Sequence, residues 1–183
     1  MKVVTINNTE FCRLCHELEA NVRESYAPDA VVCIASGGSY VGREIFRDLP
    51  HIDVSARRPS TKKKNSSPRL MAFVRALPLW TRNMLRRAEA LALSFKKAEV
   101  YPIELPVLRL NGFKHILVVD DAIDSGATML SVVQALKRVN PDAEIKNAVI
   151  TVTTKRPLTG ADFALFTNKT LIRFPWSNDN RKK

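Results

Sequence analysis

The alternation of apolar runs of strand length with helical patterns constrains the fold of this chain more than any other feature. The runs 30–35 and 116–119 are apolar at every position, so strands formed there have to be covered on both faces. Segments with apolar residues at helical spacing lie between the strand-like runs. Strands that alternate with helices form a mainly parallel sheet with helices on its faces. We therefore predict an α/β fold with a mainly parallel, twisted sheet flanked by helices.

The same patterns place the individual elements. A helix is predicted over 10–26, with Thr9 as its N-cap, because its apolar positions recur at helical spacing. The stretch 100–110 resembles a β-strand but contains two prolines, which is typical of a sheet edge. The other predicted helices are 41–48 and 128–139, and the predicted strands are 2–6, 30–35, 51–55, 114–121 and 144–153.

Chain length and the terminal sequence indicate the class of protein. A chain of 183 residues is long enough for one domain with a core and too short for two. No apolar run approaches the roughly 20 residues of a membrane span, and the first residues lack an apolar signal region. We therefore expect a single cytoplasmic domain over 1–183, without a membrane span.

The charge of the chain indicates an anionic partner. There are 29 basic and 18 acidic residues, which give a net charge of +11. A positive field of this strength attracts nucleic acid, an acidic membrane surface or a polyphosphate substrate. Charge alone does not choose among these three partners.

One cysteine pattern matches a cofactor motif. Cys12, Cys15 and His16 have the spacing of c-type haem attachment. That chemistry requires an exported protein, whereas these residues lie in a predicted helix whose apolar face holds Phe11, Cys15 and Leu18. We therefore interpret the cysteines as core residues.

An acid pair and a glycine turn follow the second fully apolar run. Asp120 and Asp121 end the run 116–119, and the turn 124–128 (Asp-Ser-Gly-Ala-Thr) opens the next predicted helix. Ligands of open α/β sheets bind at the carboxyl ends of the strands, so both features lie where a ligand is expected.

The residue types of this run favour a sugar phosphate with a metal. Hydroxyls and bare N–H groups at a glycine turn suit a phosphate monoester. Neighbouring carboxylates suit the hydroxyls of a sugar, or water bound to Mg²⁺. The alternative is that a residue of the turn only caps the helix, while the acid pair is a solvated strand end.

The run from 116 to 129 resembles the phosphoribosyl pyrophosphate (PRPP) motif of type I phosphoribosyltransferases. Its Asp-Ser-Gly is most similar to the 6-oxopurine enzymes, which use hypoxanthine, guanine and xanthine. The resemblance implies that Asp120 and Asp121 hold the ribose hydroxyls and water on Mg²⁺. It implies that Asp124 is the catalytic residue, a proton acceptor near N7 of the purine. The implied ligands of the 5′-phosphate are Ser125, Gly126, Ala127 and Thr128.

The glycines after the strand 30–35 fit the same resemblance. They lie where the family has its pyrophosphate loop, which here would consist of Ser36, Gly37 and Gly38. The family often has Arg or Lys before these glycines. Ser36 lacks that charge, although its backbone can still donate N–H groups. Taken alone, this Gly-Gly pair is a plain turn.

The tail of the chain resembles the C-terminal hood of the 6-oxopurine enzymes. The resemblance implies that Lys155 reaches the 6-oxygen of the purine and that the backbone of Ile172 binds the base edge. In those enzymes an aromatic side chain stacks on the base at the position of Leu171. An acid that helps to bind a second Mg²⁺ stands at the position of Ser177, and Asp179 is close enough in sequence to substitute. Taken alone, Lys155 is a surface lysine.

The middle of the chain is longer than the resemblance implies. The basic stretch 56–68 is expected to be the family's flexible catalytic loop, and 69–97 is predicted to be a helical insert. By closing over PRPP, the loop would bring Arg57, Arg58 and Lys62 to the departing pyrophosphate. The alternative is a solvated basic loop. The insert would by default pack on the core or on a second subunit, and binding of nucleic acid or acidic lipid is the minor alternative.

The resemblance implies a Mg²⁺-dependent enzyme of purine salvage that moves the 5-phosphoribosyl group from PRPP to a nitrogenous base, preferably a 6-oxopurine. Its products would be a nucleoside monophosphate and pyrophosphate, and a homo-oligomer (dimer or tetramer) is expected. Two alternatives stay open: a PRPP- or nucleotide-binding regulator without turnover, and a phosphoribosyltransferase for a different base. The implied layout is a core of about 20–55 and 111–154, with a small hood formed by 155–183 and the N-terminal segment.

Overall fold

The computed structural model of the chain describes residues 2–56, 100–106, 110, 112–167 and 170–177. Within these residues the helices are α1 (Asn8–Arg23), α2 (Gly37–Gly42) and α3 (Ala127–Val139). The strands are β1 (Lys2–Thr5), β2 (Ala30–Ala35), β3 (His51–Ser55), β4 (His115–Ile123), β5 (Glu144–Val152), β6 (Phe163–Phe166) and β7 (Thr170–Arg173).

Five of the described strands form the main sheet, in the order β3-β2-β4-β5-β6, and every pair of neighbours is parallel. In β2, near the centre of the main sheet, Val32 is in register with Ile52 of β3 on one side and with Val118 of β4 on the other. The α/β fold with a mainly parallel sheet, predicted from the alternation of strands and helices, is confirmed.

Helices cover both faces of this sheet. On one face, α1 packs Phe11, Leu14 and Leu18 into a core that also holds alternate residues of the central strands. On the other face, α3 packs Val132 and Leu136 into a second core. Successive side chains of a strand point to opposite faces, which is why the central strands are apolar at every position. Among the described helices, none is long and apolar enough to cross a membrane.

A second, two-stranded sheet joins the described beginning and end of the chain. β1 pairs in parallel with β7, and Val4 is in register with Ile172. The Thr151 hydroxyl on β5 donates to the Thr170 carbonyl at 2.8 Å, which ties the small sheet to the main one. β6 and β7 were not predicted, because each is only four residues long and the tail around them is rich in turn-forming residues.

The predicted start of α1 at Thr9 is wrong. Asn7 is the N-cap, and its side chain accepts from the Glu10 N–H at 2.9 Å while the Glu10 carboxylate accepts from the Asn7 N–H at 2.9 Å. This reciprocal capping box satisfies two N–H groups at once, which a threonine two residues later cannot do. The helix also ends at Arg23, short of the predicted Tyr26.

The stretch predicted as an edge strand, 100–110, is not a strand over its described residues, 100–106 and 110. Its backbone is anchored to a helix instead, because the Tyr101 N–H donates to the Ser131 hydroxyl of α3 at 3.1 Å. The predicted catalytic loop with Arg57, Arg58 and Lys62 and the predicted insert 69–97 lie outside the described residues, as does Asp179.

The cysteines of α1 pack as the helical spacing predicted. Cys15 is buried in the core together with Phe11 and Leu18, and burial raises the pKa of its thiol far above the ordinary value. Cys12 is half-buried and packs against the same core. The core interpretation therefore accounts for both residues of the haem-like spacing.

The capping box gives a direct test of how α1 begins. Replacement of Asn7 by alanine is expected to lower the free energy of unfolding by about 1 kcal/mol, because the Glu10 N–H loses its acceptor. Thr9→Ala is the matched control, and it should change that free energy by less than about 0.5 kcal/mol. Urea unfolding followed by circular dichroism measures both, and a larger loss in Thr9→Ala would contradict this description of the cap.

Candidate active site

An acid pair extends from the buried part of β4. Asp120 and Asp121 follow four fully buried residues, and both side chains keep part of their surface exposed. The Asp120 carboxylate accepts from the N–H of Asp121 at 2.9 Å and from the N–H of Gly38. The Asp121 carboxylate accepts from the indole N–H of Trp176. Backbone from α2 and a side chain from the tail therefore hold the two carboxylates in place.

α2 begins at Gly37, four residues before the start predicted at Val41, and it ends at Gly42. Two glycines, Gly37 and Gly38, explain why the helix starts at Gly37 and not at Val41. A Cβ atom on Gly37 would overlap the Asp121 carboxyl group, and one on Gly38 would overlap the Val119 carbonyl. Glycine is a poor helix former, which hid this first turn from the sequence pattern. Here it lets a helix approach the strand that carries the acid pair.

The acid pair concentrates negative charge that the described residues do not neutralise. Burial raises the pKa of Asp120 well above its ordinary value, and the neighbouring Asp121 charge raises it further. Burial also raises the pKa of Asp121. None of the ion pairs between described residues includes either aspartate. A cation or hydroxyl donors from a ligand would stabilise the charged form of the pair.

Two neighbouring carboxylates are a donor set that suits Mg²⁺. The described residues contain no group of three or more His, Cys, Asp or Glu side chains that could hold a metal ion. Mg²⁺ usually keeps several waters and takes one or two carboxylates together with substrate oxygens. The acid pair therefore suits Mg²⁺ bound through water and a ligand.

The turn after β4 opens α3 at a glycine. Gly126 is the N-cap, with φ at +78°, and the Ser125 hydroxyl accepts from the Ala127 N–H, the first of the helix, at 3.4 Å. A Cβ at Gly126 would lie 2.8 Å from the Thr159 nitrogen, so only glycine fits at this left-handed position. Ser125 therefore contacts one of the first N–H groups of the helix, so the alternative of a capping role stays open for this residue. The start of a helix also favours an anion.

Neighbouring segments hold both ends of this turn. The Leu158 N–H donates to the Ser125 carbonyl at 2.9 Å. The exposed Asp124 carboxylate accepts from the Thr153 hydroxyl at 3.0 Å, and the Thr153 N–H donates to the Ile123 carbonyl at 2.9 Å. The turn 124–128 and the acid pair both lie at the carboxyl end of β4. Asp120 and Thr128 are eight residues apart in sequence.

The geometry of the turn and acid pair agrees with the family comparison. The profile of the phosphoribosyl transferase domain matches residues 5–177. The chain belongs to this family. The resemblance to type I phosphoribosyltransferases, inferred from the motif at 116–129, is thereby confirmed. No curated protein matches the chain.

Three solved structures show the same fold as the chain. The purine phosphoribosyltransferase of Pyrococcus horikoshii Ot3 is 19% identical, with a TM-score of 0.63 over 97% of this chain and 96% of that one. The xanthine-guanine-hypoxanthine phosphoribosyltransferase of Helicobacter pylori is 21% identical, with a TM-score of 0.63 over 97% and 95%. A hypothetical protein from Neisseria gonorrhoeae with bound ppGpp is 18% identical, with a TM-score of 0.59 over 98% and 92%.

The residues that the resemblance matches to base binding lie less close together than those matched to PRPP. Lys155 is exposed and lines a cavity of about 470 Å³ between the 154–161 segment and β6. Ile172 is buried in the core that α1 forms with the main sheet, and Leu171 is half-buried beside it in β7. Asp124, Leu171 and Ile172 are not among the described residues that line the Lys155 cavity. Their shared role at a base stays a prediction.

Aromatic packing places the tail against the acid pair. The Trp176 ring stacks on Phe174 at 4.9 Å and on Tyr40 at 4.3 Å, and it meets Phe11 edge-on at 4.8 Å. This packing directs the indole N–H to Asp121. The sequence pattern gave no signal for that hydrogen bond, nor for the Thr153 hydroxyl at Asp124, because both contacts arise only when distant segments meet.

The acid pair should lower the stability of the ligand-free protein. The raised pKa of Asp120 means that the folded state holds its proton to a higher pH than the unfolded state does. Stability therefore falls as the pH rises from the ordinary range of an aspartate through the raised pKa. Asp120→Asn is expected to raise the free energy of unfolding by about 0.5–2 kcal/mol at neutral pH.

Thermal or urea unfolding between pH 4 and 8 measures this effect, and the advantage of the variant should shrink as the pH falls. Asp142→Asn, in an exposed turn, is the control and should follow the wild type at every pH. An Asp120→Asn variant less stable than wild type at pH 8 would contradict the described electrostatics.

Proposed function

We propose that this chain transfers the 5-phosphoribosyl group from PRPP to a nitrogenous base, preferably a 6-oxopurine, with Mg²⁺. The observation that carries the proposal is the joint position of the acid pair and the glycine turn that opens α3 at the end of β4. The products would be a nucleoside monophosphate and pyrophosphate, as in purine salvage.

The start of α3 is the proposed site of the 5′-phosphate. Its N–H groups and the positive end of the helix dipole favour a dianion. Ser125, Ala127 and Thr128 would contribute N–H and hydroxyl donors around Gly126, which the left-handed turn brings close to the ligand. Asp124 lies in the same turn, but it is not proposed to bind the phosphate.

The acid pair is proposed to bind the ribose. Asp120 and Asp121 can each accept a hydrogen bond from a 2′- or 3′-hydroxyl, which would offset the burial of their charges. Mg²⁺, when bound through water to these carboxylates, would neutralise negative charge on the departing pyrophosphate. The N–H of Gly38 already donates to Asp120, so Ser36 and Gly37 are the remaining donors of the proposed pyrophosphate loop.

Asp124 is the proposed proton acceptor. Its carboxylate is exposed at the turn, and the Thr153 hydroxyl at 3.0 Å fixes the orientation of one oxygen. A carboxylate fixed in this way could accept the proton that the purine loses as its ring nitrogen attacks the sugar. The proton moves from nitrogen to the Asp124 oxygen, and the bonding electrons of the sugar–pyrophosphate bond leave with pyrophosphate.

A purine acceptor rests on two supports. Lys155 lines a cavity of about 470 Å³, which is large enough for a bicyclic base, and its ammonium group could donate to a 6-oxygen. Two structural relatives are a purine phosphoribosyltransferase and a xanthine-guanine-hypoxanthine phosphoribosyltransferase. Leu171 stands where the family has a stacking aromatic, and stacking contributes about 1–3 kcal/mol per base. Weak binding of the base is therefore expected.

A regulatory role is the second candidate. Leu171 in place of an aromatic and Ser177 in place of an acid would reduce turnover while leaving the PRPP side intact. One structural relative is a protein with bound ppGpp, a nucleotide. A regulator would bind PRPP or a nucleotide and release no pyrophosphate.

Labelled PRPP, incubated with Mg²⁺ and a panel of purines and pyrimidines, separates these candidates. The proposal predicts release of pyrophosphate with at least one 6-oxopurine and loss of that release on chelation of Mg²⁺. Protein that binds PRPP and releases no pyrophosphate with any base would exclude the transferase and favour the regulator.

Asp124→Asn tests the proton acceptor. The variant keeps the size of the side chain but is a far weaker base, so kcat should fall by about 10²- to 10⁴-fold with little change in the Kd of PRPP. Steady-state kinetics with equilibrium binding of PRPP measures both. A kcat within a few-fold of wild type would remove Asp124 from the reaction.

A further inference from the structure

Tyr101 reaches the proposed phosphate site from outside every motif of the family. We infer that Tyr101 is a positioning residue of the 5′-phosphate site, which orients the Thr128 hydroxyl and links it to the Ala56 carbonyl. The inference rests on the proposed function, because it takes the 5′-phosphate of PRPP as the ligand of Thr128.

Tyr101 lies along the first turn of α3 and is held there twice. Only 8% of its surface is exposed. Its N–H donates to the Ser131 hydroxyl at 3.1 Å, and Ser131 donates to the Ala127 carbonyl at 2.7 Å. Its phenol oxygen lies 2.9 Å from the Thr128 hydroxyl oxygen. Thr128 and Ser131 are three residues apart and share a helix face, so Tyr101 is fixed on the turn that would bind phosphate.

The phenol also contacts the residue that precedes the segment 57–99. Its hydroxyl donates to the Ala56 carbonyl at 3.1 Å, and Ala56 directly follows β3. The Tyr101 hydroxyl therefore links Ala56, directly after β3, to Thr128, at the start of α3. Tyr101 itself follows the segment 57–99 by two positions. This arrangement joins three parts of the chain that are far apart in sequence.

The Tyr101 and Thr128 hydroxyls each have one proton, and this limits how their contact can respond to a ligand. A phenol has one proton to donate, and the Ala56 carbonyl can only accept. When Tyr101 donates to Ala56, the Thr128 hydroxyl must donate to the Tyr101 oxygen to satisfy the 2.9 Å contact. The Thr128 proton then points at Tyr101.

A bound phosphate would reverse this arrangement. Phosphate oxygens accept only, so Thr128 must turn its proton to the ligand. The Tyr101 hydroxyl then donates to the Thr128 oxygen, since two oxygens at 2.9 Å without a proton between them repel. Tyr101 thereby fixes the Thr128 rotor in the phosphate-binding orientation, and the Ala56 carbonyl loses its donor. Occupation of the phosphate site is coupled to the hydrogen bond at Ala56.

Tyr101→Phe, measured with ribose 5-phosphate and with pyrophosphate as separate probes, tests the positioning role. Ribose 5-phosphate carries the 5′-phosphate, and pyrophosphate does not. The affinity for ribose 5-phosphate should change about three- to tenfold, because the wild type exchanges the hydrogen bond at Ala56 for one at Thr128 on binding and the variant does not. The affinity for pyrophosphate should stay within about twofold of wild type. A loss of structure alone would weaken both ligands.

A double-mutant cycle with Thr128→Val shows whether Tyr101 acts through Thr128. In the Thr128→Val background, Tyr101→Phe should have no further effect on the affinity for ribose 5-phosphate. Tyr26→Phe is the matched control. Its buried phenol donates to the Glu144 carbonyl at 2.9 Å, at the opposite end of β5, so this variant should lose stability and keep its ligand affinity.

The ¹³C shift of the Ala56 carbonyl tests the coupling. It should move when ribose 5-phosphate is added to the wild type and stay in place in Tyr101→Phe. A wild type that binds ribose 5-phosphate, with equal affinity in Tyr101→Phe and no change at Ala56, would overturn the inference and leave the proposed function intact. A wild type that binds neither PRPP nor ribose 5-phosphate would overturn both.

Discussion

The close approach of α2 to the end of β4 is the contact on which the rest of the site depends. Gly37 and Gly38 have no side chains, so the first turn of the helix packs directly on the acid pair, and the Gly38 N–H donates to Asp120. β2, which leads into α2, is paired with β4, so the proposed pyrophosphate loop and the proposed ribose site follow neighbouring strands. Parallel strands lie roughly 4.8 Å apart, and this spacing brings the two sites within reach of one PRPP molecule.

The net charge of the chain and the charge of the acid pair are opposite in sign. The net charge of +11 attracts polyphosphates, whereas the acid pair concentrates negative charge at one point of the surface. The raised pKa values of Asp120 and Asp121 show that the ligand-free fold holds this pair at a cost in stability. Ribose hydroxyls and Mg²⁺ would relieve that cost on binding. The start of α3, next to the pair in sequence, is the proposed site for the anionic end of the ligand.

The sequence predicted the central sheet better than the rest of the structure. The strands 30–35 and 51–55 agree with the structure at both ends, because hydrophobic burial on both faces leaves a pattern in the chain itself. The predicted start of α2 at Val41 was wrong. The glycines of its first turn allow a contact with β4, and a contact between distant segments leaves no local pattern in the sequence. Tyr101 was missed for the same reason: its partners are 45 and 27 residues away. The base side stays a prediction, because Lys155 lines a cavity that Leu171 and Ile172 do not share.

Equilibrium dialysis of labelled PRPP, with and without Mg²⁺, tests the central claim most directly. The wild type and a variant with both Asp120→Asn and Asp121→Asn should be measured side by side, after circular dichroism has shown that both are folded. The account predicts saturable binding of one PRPP per chain that requires Mg²⁺ and is lost in the double variant. Folded wild type that does not bind PRPP, or a double variant that binds it as tightly as the wild type, would contradict the account.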